Sequence, residues 1–148
     1  MTAARPSRED DLAALCRACG LCCDGALFGR VPLAPDEAEP LRRRGLRVVG
    51  AGALEQPCAA LSPSPDDRAC TLYDERPAAC RAFVCTLHAT HAQSGGPLEP
   101  RLAVVRRARA LLAELDRAQA AGEEPPLSLV AALRGELAAS FGRAAAAK

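Results

Sequence analysis

Half of the cysteines in this chain lie in one short stretch near its N-terminus. Residues 16–23 read CRACGLCC, which places four of the eight cysteines in the pattern C-x2-C-x2-C-C. A C-x2-C pair lets two sulfurs face one ion, because the two intervening residues turn the backbone between them. Free cysteines also pack as small hydrophobic residues, yet four in eight residues, two of them adjacent, are poorly explained by packing. We therefore interpret this stretch as part of a metal- or cluster-binding site.

The other cysteines are spread along the chain as far as residue 85. Together the candidate thiolate ligands are Cys16, Cys19, Cys22, Cys23, Cys58, Cys70, Cys80 and Cys85. Eight thiolates are enough for two four-thiolate sites, or for one cluster with additional redox-active cysteines. Adjacent residues point in different directions in regular structure, so Cys22 and Cys23 are not expected to serve one ion equally well. Soft thiolates suit both zinc and iron, which leaves zinc and an iron–sulfur cluster as alternatives.

Cationic side chains and two histidines accompany these cysteines. Arg17, Arg76 and Arg81 are candidate hydrogen-bond donors to metal-bound sulfur, with ion pairs to surface acids as the alternative. His88 and His91 are the only histidines and extend the spacing after Cys85 as C-x2-H-x2-H. They are candidate extra ligands, but complete thiolate sites need no further ligand. We therefore expect the histidines at the surface or behind the ligands.

The composition limits the stability that the core can supply. Aromatic residues make up only 3% of the 148 residues, and the apolar fraction of 49% is mostly Ala, Leu, Val and Cys. Small side chains bury little area each, at about 25 cal/mol per Å² of apolar surface. Structural zinc contributes on the order of 10 kcal/mol of apparent binding free energy, so a bound ion would supply stability that the core lacks.

Charge and hydropathy exclude several partners and compartments. The net charge of +1 favours neither nucleic acid nor a membrane surface. The arginine run at 42–44 is interpreted as a solvated helix C-terminus rather than a phosphate site, because no aromatic residues interleave with it. The polar N-terminus does not resemble a signal peptide, and no apolar run is long enough to predict a membrane span. We expect a cytoplasmic protein with reduced thiols, and a disulfide framework is the alternative.

The elements that must position the cysteines are short. Ser7 is the predicted N-cap of a first helix, with Asp10 as its capping-box partner. One apolar face of that helix leads into the first thiols: Leu12, Leu15, Cys16 and Cys19. Extended segments are expected at 27–33 and 46–49, and brief helices after Pro35 and near Pro77. Residues 58–61 and 70–73 are predicted to pair as a hairpin around a proline-rich loop, each bringing one cysteine.

Two longer helices are predicted at the C-terminal end. Over 101–121 an apolar stripe recurs at helical spacing, formed by Leu102, Val105, Ala108, Leu112 and Leu115. A second helix is predicted to begin with Ser128 as its cap and to end near Gly142. Such an αα-hairpin must bury its apolar face, either on its own cysteine-rich domain or against a protein partner or a second copy. The predicted organisation is a cysteine-rich domain at 1–98 and a helical extension at 99–148, in the α+β class.

Four ordered motifs together resemble a known family. They are C-x2-C-x2-C-C, Pro57-Cys58, C-x2-Y from Cys70 to Tyr73, and R-P-x2-C-R-x-F-x-C from Arg76 to Cys85. This set resembles the CxxCxxCC family, which is described as a zinc- or iron-chelating domain. All eight cysteines fall on motif positions, whereas Ala59-Ala60 and the C-terminal extension depart from the pattern. The resemblance implies a metal centre; some members look like an Fe–S component, and a similar motif occurs in a flagellin lysine methylase.

Three functional classes are consistent with these residues. The first is a metal-binding module with a structural centre and helices that bind a partner, and it is the favoured hypothesis. The second is an Fe–S oxidoreductase component or electron carrier, and the third is a metal-handling protein. No Ser/His/Asp constellation and no glycine-rich phosphate loop supports another enzyme class.

Overall fold

The computed structural model describes residues 4–144, which form short strands and helices in the predicted α+β class. The helices are α1 (Arg8–Cys19), α2 (Ala38–Arg43), α3 (Ala78–Ala82), α4 (Thr86–Ser94), α5 (Glu99–Ala120) and α6 (Leu127–Ser140). The strands are β1 (Arg30–Pro32), β2 (Val48–Val49) and β3 (Ala53–Glu55), and a 3-10 turn covers Tyr73–Glu75.

The chain divides into two compact units. The cysteine unit is Cys16–Val84, and the helical unit combines the chain up to Leu15 with the chain from Cys85 onward. The boundary predicted between residues 98 and 99 therefore falls inside the helical unit. The outer ends of the two predicted domains, residues 1–3 and 145–148, lie outside the described residues.

The first helix begins as its sequence predicts. The Ser7 hydroxyl accepts a hydrogen bond from the backbone N–H of Asp10 at 3.1 Å. In return the Asp10 carboxylate accepts from the Ser7 N–H at 2.9 Å, which completes the capping box. Gly20, with a φ of 65°, ends the helix, because glycine adopts this left-handed conformation without steric cost.

A three-stranded antiparallel sheet organises the cysteine unit. β3 lies in the centre, with Leu54 opposite Val31 of β1 and Val48 of β2. Leu54 is 1% exposed and belongs to a small core, whose buried members are Val31, Leu41, Leu46, Leu54 and Ala60. Three half-buried cysteines pack against this same core: Cys58, Cys70 and Cys80.

The predicted cysteine-bearing hairpin is wrong in its extent. Residues 58–61 and 70–73 meet in a single β-bridge, between Leu61 and Cys70. The N–H of Leu61 bonds back to the Cys58 carbonyl, which closes a turn within 58–61, and the N–H of Cys58 bonds to the Cys23 carbonyl. The hairpin of this unit is instead formed by β2 and β3, of which β3 was not predicted.

The C-terminal αα-hairpin is confirmed, and α5 packs against α6 in the helical unit. The buried apolar residues of this unit are Leu15, Leu87, Val105, Ala108, Leu133 and Phe141. The predicted cap at Ser128 is wrong, because α6 begins at Leu127 and is preceded by Pro126. The Pro126 carbonyl accepts from the N–H groups of Leu129 and Val130, so the first turn needs no hydroxyl cap. Within residues 4–144, none of the helices combines the length and apolarity needed to cross a membrane.

Candidate metal centre

Five thiols of the cysteine unit are connected by electrostatic interactions, which join Cys23 to three of them and Cys80 to three of them. We call them the thiol cluster: Cys22, Cys23, Cys58, Cys70 and Cys80. They come from four separate parts of the chain, namely the turn after Gly20, the loop before the β-bridge, the bridge itself and α3. Tertiary folding therefore assembles from distant segments a group that consists entirely of soft sulfur donors.

Backbone contacts hold these segments together. The Cys58 N–H donates to the Cys23 carbonyl at 2.7 Å, which joins the loop to the turn. The Glu37 carboxylate accepts from the N–H groups of Ala34 and Ala78, at 2.7 and 2.8 Å. Since Ala78 is the first residue of α3, the Glu37 carboxylate anchors the helix that carries Cys80.

The adjacent sulfurs of Cys22 and Cys23 lie 3.9 Å apart. Two ligands of one tetrahedral zinc ion, each about 2.3 Å from the metal, are separated by about 3.8 Å. The two side chains approach each other because they lie in a turn rather than in a regular helix or strand. That they do not serve one ion equally well stays a prediction. Among the described residues, no three Cys, His, Asp or Glu side chains already converge as ligands of one ion. Closing a four-thiolate site requires side-chain rotations.

Crowding of thiols shifts their pKa values strongly. The pKa of Cys22 is lowered to about 7, chiefly because the Cys23 thiol donates a hydrogen bond to it. That same bond, with burial and the neighbouring Cys22, Cys70 and Cys58 charges, raises the pKa of Cys23 far above its usual value. Burial is the main cause that raises the pKa of Cys80 to about 11, and it also raises the pKa of Cys58. Without a cation, most of this cluster therefore retains its protons near neutral pH.

Among the three candidate arginines, Arg76 acts on the cluster through its charge. It lowers the pKa values of Cys22 and Cys80. Its guanidinium lies 3.8 Å from the centre of the Tyr73 ring, and its Nε donates to the Tyr73 carbonyl at 2.9 Å. Arg81 donates to the Arg76 carbonyl. A held positive charge beside the thiols favours their ionised forms.

Arg17 has a different partner. Its guanidinium forms a two-pronged ion pair with Asp67, with Nε at 2.8 Å from Oδ1. The neighbouring Arg68 donates its backbone N–H to the Arg17 carbonyl at 2.7 Å and its guanidinium to the Ala18 carbonyl at 3.2 Å. The last turn of α1, which carries Cys16 and Cys19, is thereby attached to the segment that leads into Cys70.

The remaining candidates belong to the helical unit. Cys85 is the N-cap of α4, where its sulfur accepts from the His88 N–H at 3.4 Å. The Nδ1 atom of His88 is buried and has no hydrogen-bond partner within the described part of the chain. Burial, with a smaller contribution from His91, lowers the pKa of His88. A neutral imidazole with an unused nitrogen retains the capacity to bind a metal ion.

His91 is fully buried, so of the two expected positions, at the surface or behind the ligands, the surface position does not apply to it. Its Nδ1 accepts from Nε of Arg101 at 2.7 Å, and its Nε2 lies 3.3 Å from the Asp11 carboxylate. Because arginine only donates hydrogen bonds, Nδ1 is the unprotonated nitrogen and Nε2–H donates to Asp11. Both nitrogens are thus engaged. Sequence reasoning missed this network, although the i, i+4 spacing of Leu87 and His91 marks one helix face.

The eight cysteines all lie within the described residues, and they form no disulfide bonds in the structure. The disulfide framework is therefore not formed, and every cysteine keeps the donor atom that metal binding requires.

The arrangement agrees with the comparison to protein families. The family model "CxxCxxCC: Putative zinc- or iron-chelating domain" matches residues 15–96, which is more than half of the 148 residues. No curated protein and no solved structure matches the chain. The matched segment contains all eight cysteines, and the chain therefore belongs to the CxxCxxCC family of zinc- or iron-chelating domains.

Proposed function

We propose that the cysteine unit chelates zinc or iron through cysteine thiolates and serves as a structural, interaction-competent module. The observation that carries this proposal is the thiol cluster, in which five soft donors from distant segments interact electrostatically. In the metal-free protein, crowding these thiols adds no stability, because they resist ionisation. A bound cation turns that crowding into favourable ligation, because thiolates bind divalent ions while releasing protons.

The structural role follows from where the cluster lies. Cys58, Cys70 and Cys80 pack against the small core around Leu54. That core contains aliphatic side chains only, so ligation at its edge adds stability where apolar burial is modest. Of the other expected ligands, Cys16 and Cys19 are proposed to serve a second ion or to extend a cluster, and Cys85 stays a predicted ligand.

The alternative is an Fe–S component that transfers electrons. An all-thiolate donor set suits tetrahedral zinc and the iron of [2Fe–2S] or [4Fe–4S] clusters alike. Iron with sulfide would supply redox chemistry that zinc does not have. The absorption spectrum distinguishes the two, since four-thiolate zinc is colourless and Fe–S clusters absorb visible light.

The proposal is tested by metal titration of Cys58→Ser, with Ala59→Ser as the matched control. Cys58 lies in the cluster, whereas the neighbouring Ala59 is exposed. We expect Cys58→Ser to weaken metal binding by at least about a hundredfold and Ala59→Ser to bind like the wild type. Equal affinities of the two variants would exclude the thiol cluster as the metal site.

A further inference from the structure

The positive charge of Arg76 acts on two sulfurs of the thiol cluster, those of Cys22 and Cys80. These two thiols belong to separate segments, the turn after Gly20 and helix α3. Thiolates that hold a zinc or iron ion carry more negative charge than the ion neutralises. A cation near them therefore stabilises the metal-bound form of the site.

The effect of such a cation depends on how well its side chain is held. The attraction between charges falls with distance and is screened by salt where the charges are reached by solvent. A free arginine side chain samples many rotamers, so its guanidinium spends only part of its time near a given sulfur. Arg76 is only half-buried, and its position therefore has to come from specific contacts.

Tyr73 supplies two of these contacts. The Arg76 guanidinium lies 3.8 Å from the centre of the Tyr73 ring, which is a cation–π arrangement. The Nε atom of Arg76 also donates to the Tyr73 carbonyl at 2.9 Å. Any residue at position 73 offers a carbonyl, so the ring contact is the one that depends on the side chain.

The exposure of Tyr73 indicates that packing does not account for its ring. Tyr73 is the only tyrosine of the chain, and 60% of it is exposed. A ring in this position adds little to the core of the cysteine unit. Its face instead contacts the guanidinium whose charge acts on the thiols.

Resting on the proposed function, we infer that Tyr73 is a positioning residue of the metal centre, whose ring holds the Arg76 charge where it stabilises the thiolate ligands. Tyr73 acts on the metal only through Arg76. Loss of the ring therefore weakens metal binding while every donor sulfur stays in place.

The test is a double-mutant cycle on the full-length protein. It compares the wild type with Tyr73→Leu, Arg76→Gln and the variant that combines both changes. Tyr73→Phe is the matched control, because it keeps the aromatic ring. Zinc affinity is measured by competition with a chromogenic chelator, and circular dichroism checks that each protein is folded.

We expect Arg76→Gln to weaken zinc binding about tenfold, because the charge near the ligands is lost. Tyr73→Leu should weaken it about threefold, because the charge is kept but no longer held. In the Arg76→Gln background the Tyr73→Leu change should have almost no effect, whereas a ring that merely supports the fold would cost the same in both backgrounds. Tyr73→Phe should restore the wild-type affinity.

Three results would overturn the inference while leaving the proposed function intact. They are a wild-type affinity in Tyr73→Leu, an equal loss from Tyr73→Leu in both backgrounds, and a loss in Tyr73→Phe as large as that in Tyr73→Leu. A wild-type protein that binds neither zinc nor iron would remove the proposed function, and the inference with it.

Discussion

Leu54→Ala tests whether the metal centre depends on the core of the cysteine unit. Leu54 is 1% exposed, lies on the central strand and belongs to the core against which Cys58, Cys70 and Cys80 pack. Replacing a fully buried leucine by alanine costs about 3 kcal/mol, from lost apolar transfer and the remaining cavity. The metal-free unit should lose that amount in its free energy of unfolding.

The same perturbation should weaken metal binding, because ligation and folding of such a domain are linked. Where the metal-free unit is mostly unfolded, 3 kcal/mol corresponds to an apparent affinity about a hundredfold lower. Urea denaturation followed by circular dichroism, with and without zinc, measures the first quantity. A zinc titration against a chelator of known affinity measures the second.

Leu127→Ala provides the control, since Leu127 is 84% exposed and its truncation should change both quantities by less than about 0.5 kcal/mol. Wild-type zinc affinity in Leu54→Ala, despite the expected loss of stability, would refute the linkage between this core and the metal site.

Two further outcomes are expected. Metal binding at pH 7 should release about three protons or more per ion, because the raised pKa values of Cys23, Cys58 and Cys80 keep these thiols protonated. Calorimetry in buffers of different ionisation enthalpy would measure the number of protons released. The absence of proton release would contradict the prediction. Glu37→Ala should destabilise the protein by about 1 kcal/mol near neutral pH through lost hydrogen bonds, whereas Glu39→Ala, which removes only 3.6 Å ion pairs, should not. The backbone N–H groups of Ala34 and Ala78 lower the pKa of Glu37. The stabilisation by the Glu37 carboxylate is therefore present above pH 4.5 and is lost as the pH falls through the lowered pKa. A destabilisation by Glu37→Ala that persists below that pKa would contradict the anchoring role.

Features set by local sequence were predictable. Ser7 and Asp10 are three residues apart, and the side chain of each accepts a hydrogen bond from the backbone N–H of the other. This capping box depends on no other part of the chain. The stripe through Val105 and Ala108 places both residues in the core of the helical unit, because helical periodicity fixes which side chains share a face.

Features set by distant contacts were not predictable. β3 is only three residues long and carries no alternating pattern that would mark it, so pairing with β1 and β2 decides its conformation. The predicted hairpin that carries Cys58 and Cys70 is reduced to a single bridge, because the N–H groups of Cys58 and Leu61 bond to other carbonyls. His91 is buried because Asp11 and Arg101 reach its ring from other helices, and spacing alone does not show such partners. Likewise, only the folded chain singles out five cysteines as neighbours.

The most direct test is the metal and sulfide content of the wild-type protein purified without oxygen, together with its visible absorption spectrum. Chelation through the cysteines predicts one or two zinc or iron centres per chain, with a colourless protein for zinc and a brown protein with acid-labile sulfide for an Fe–S cluster. A folded protein that contains neither metal, takes up neither on reconstitution and leaves Cys23, Cys58, Cys70 and Cys80 open to alkylation would contradict metal chelation as its function.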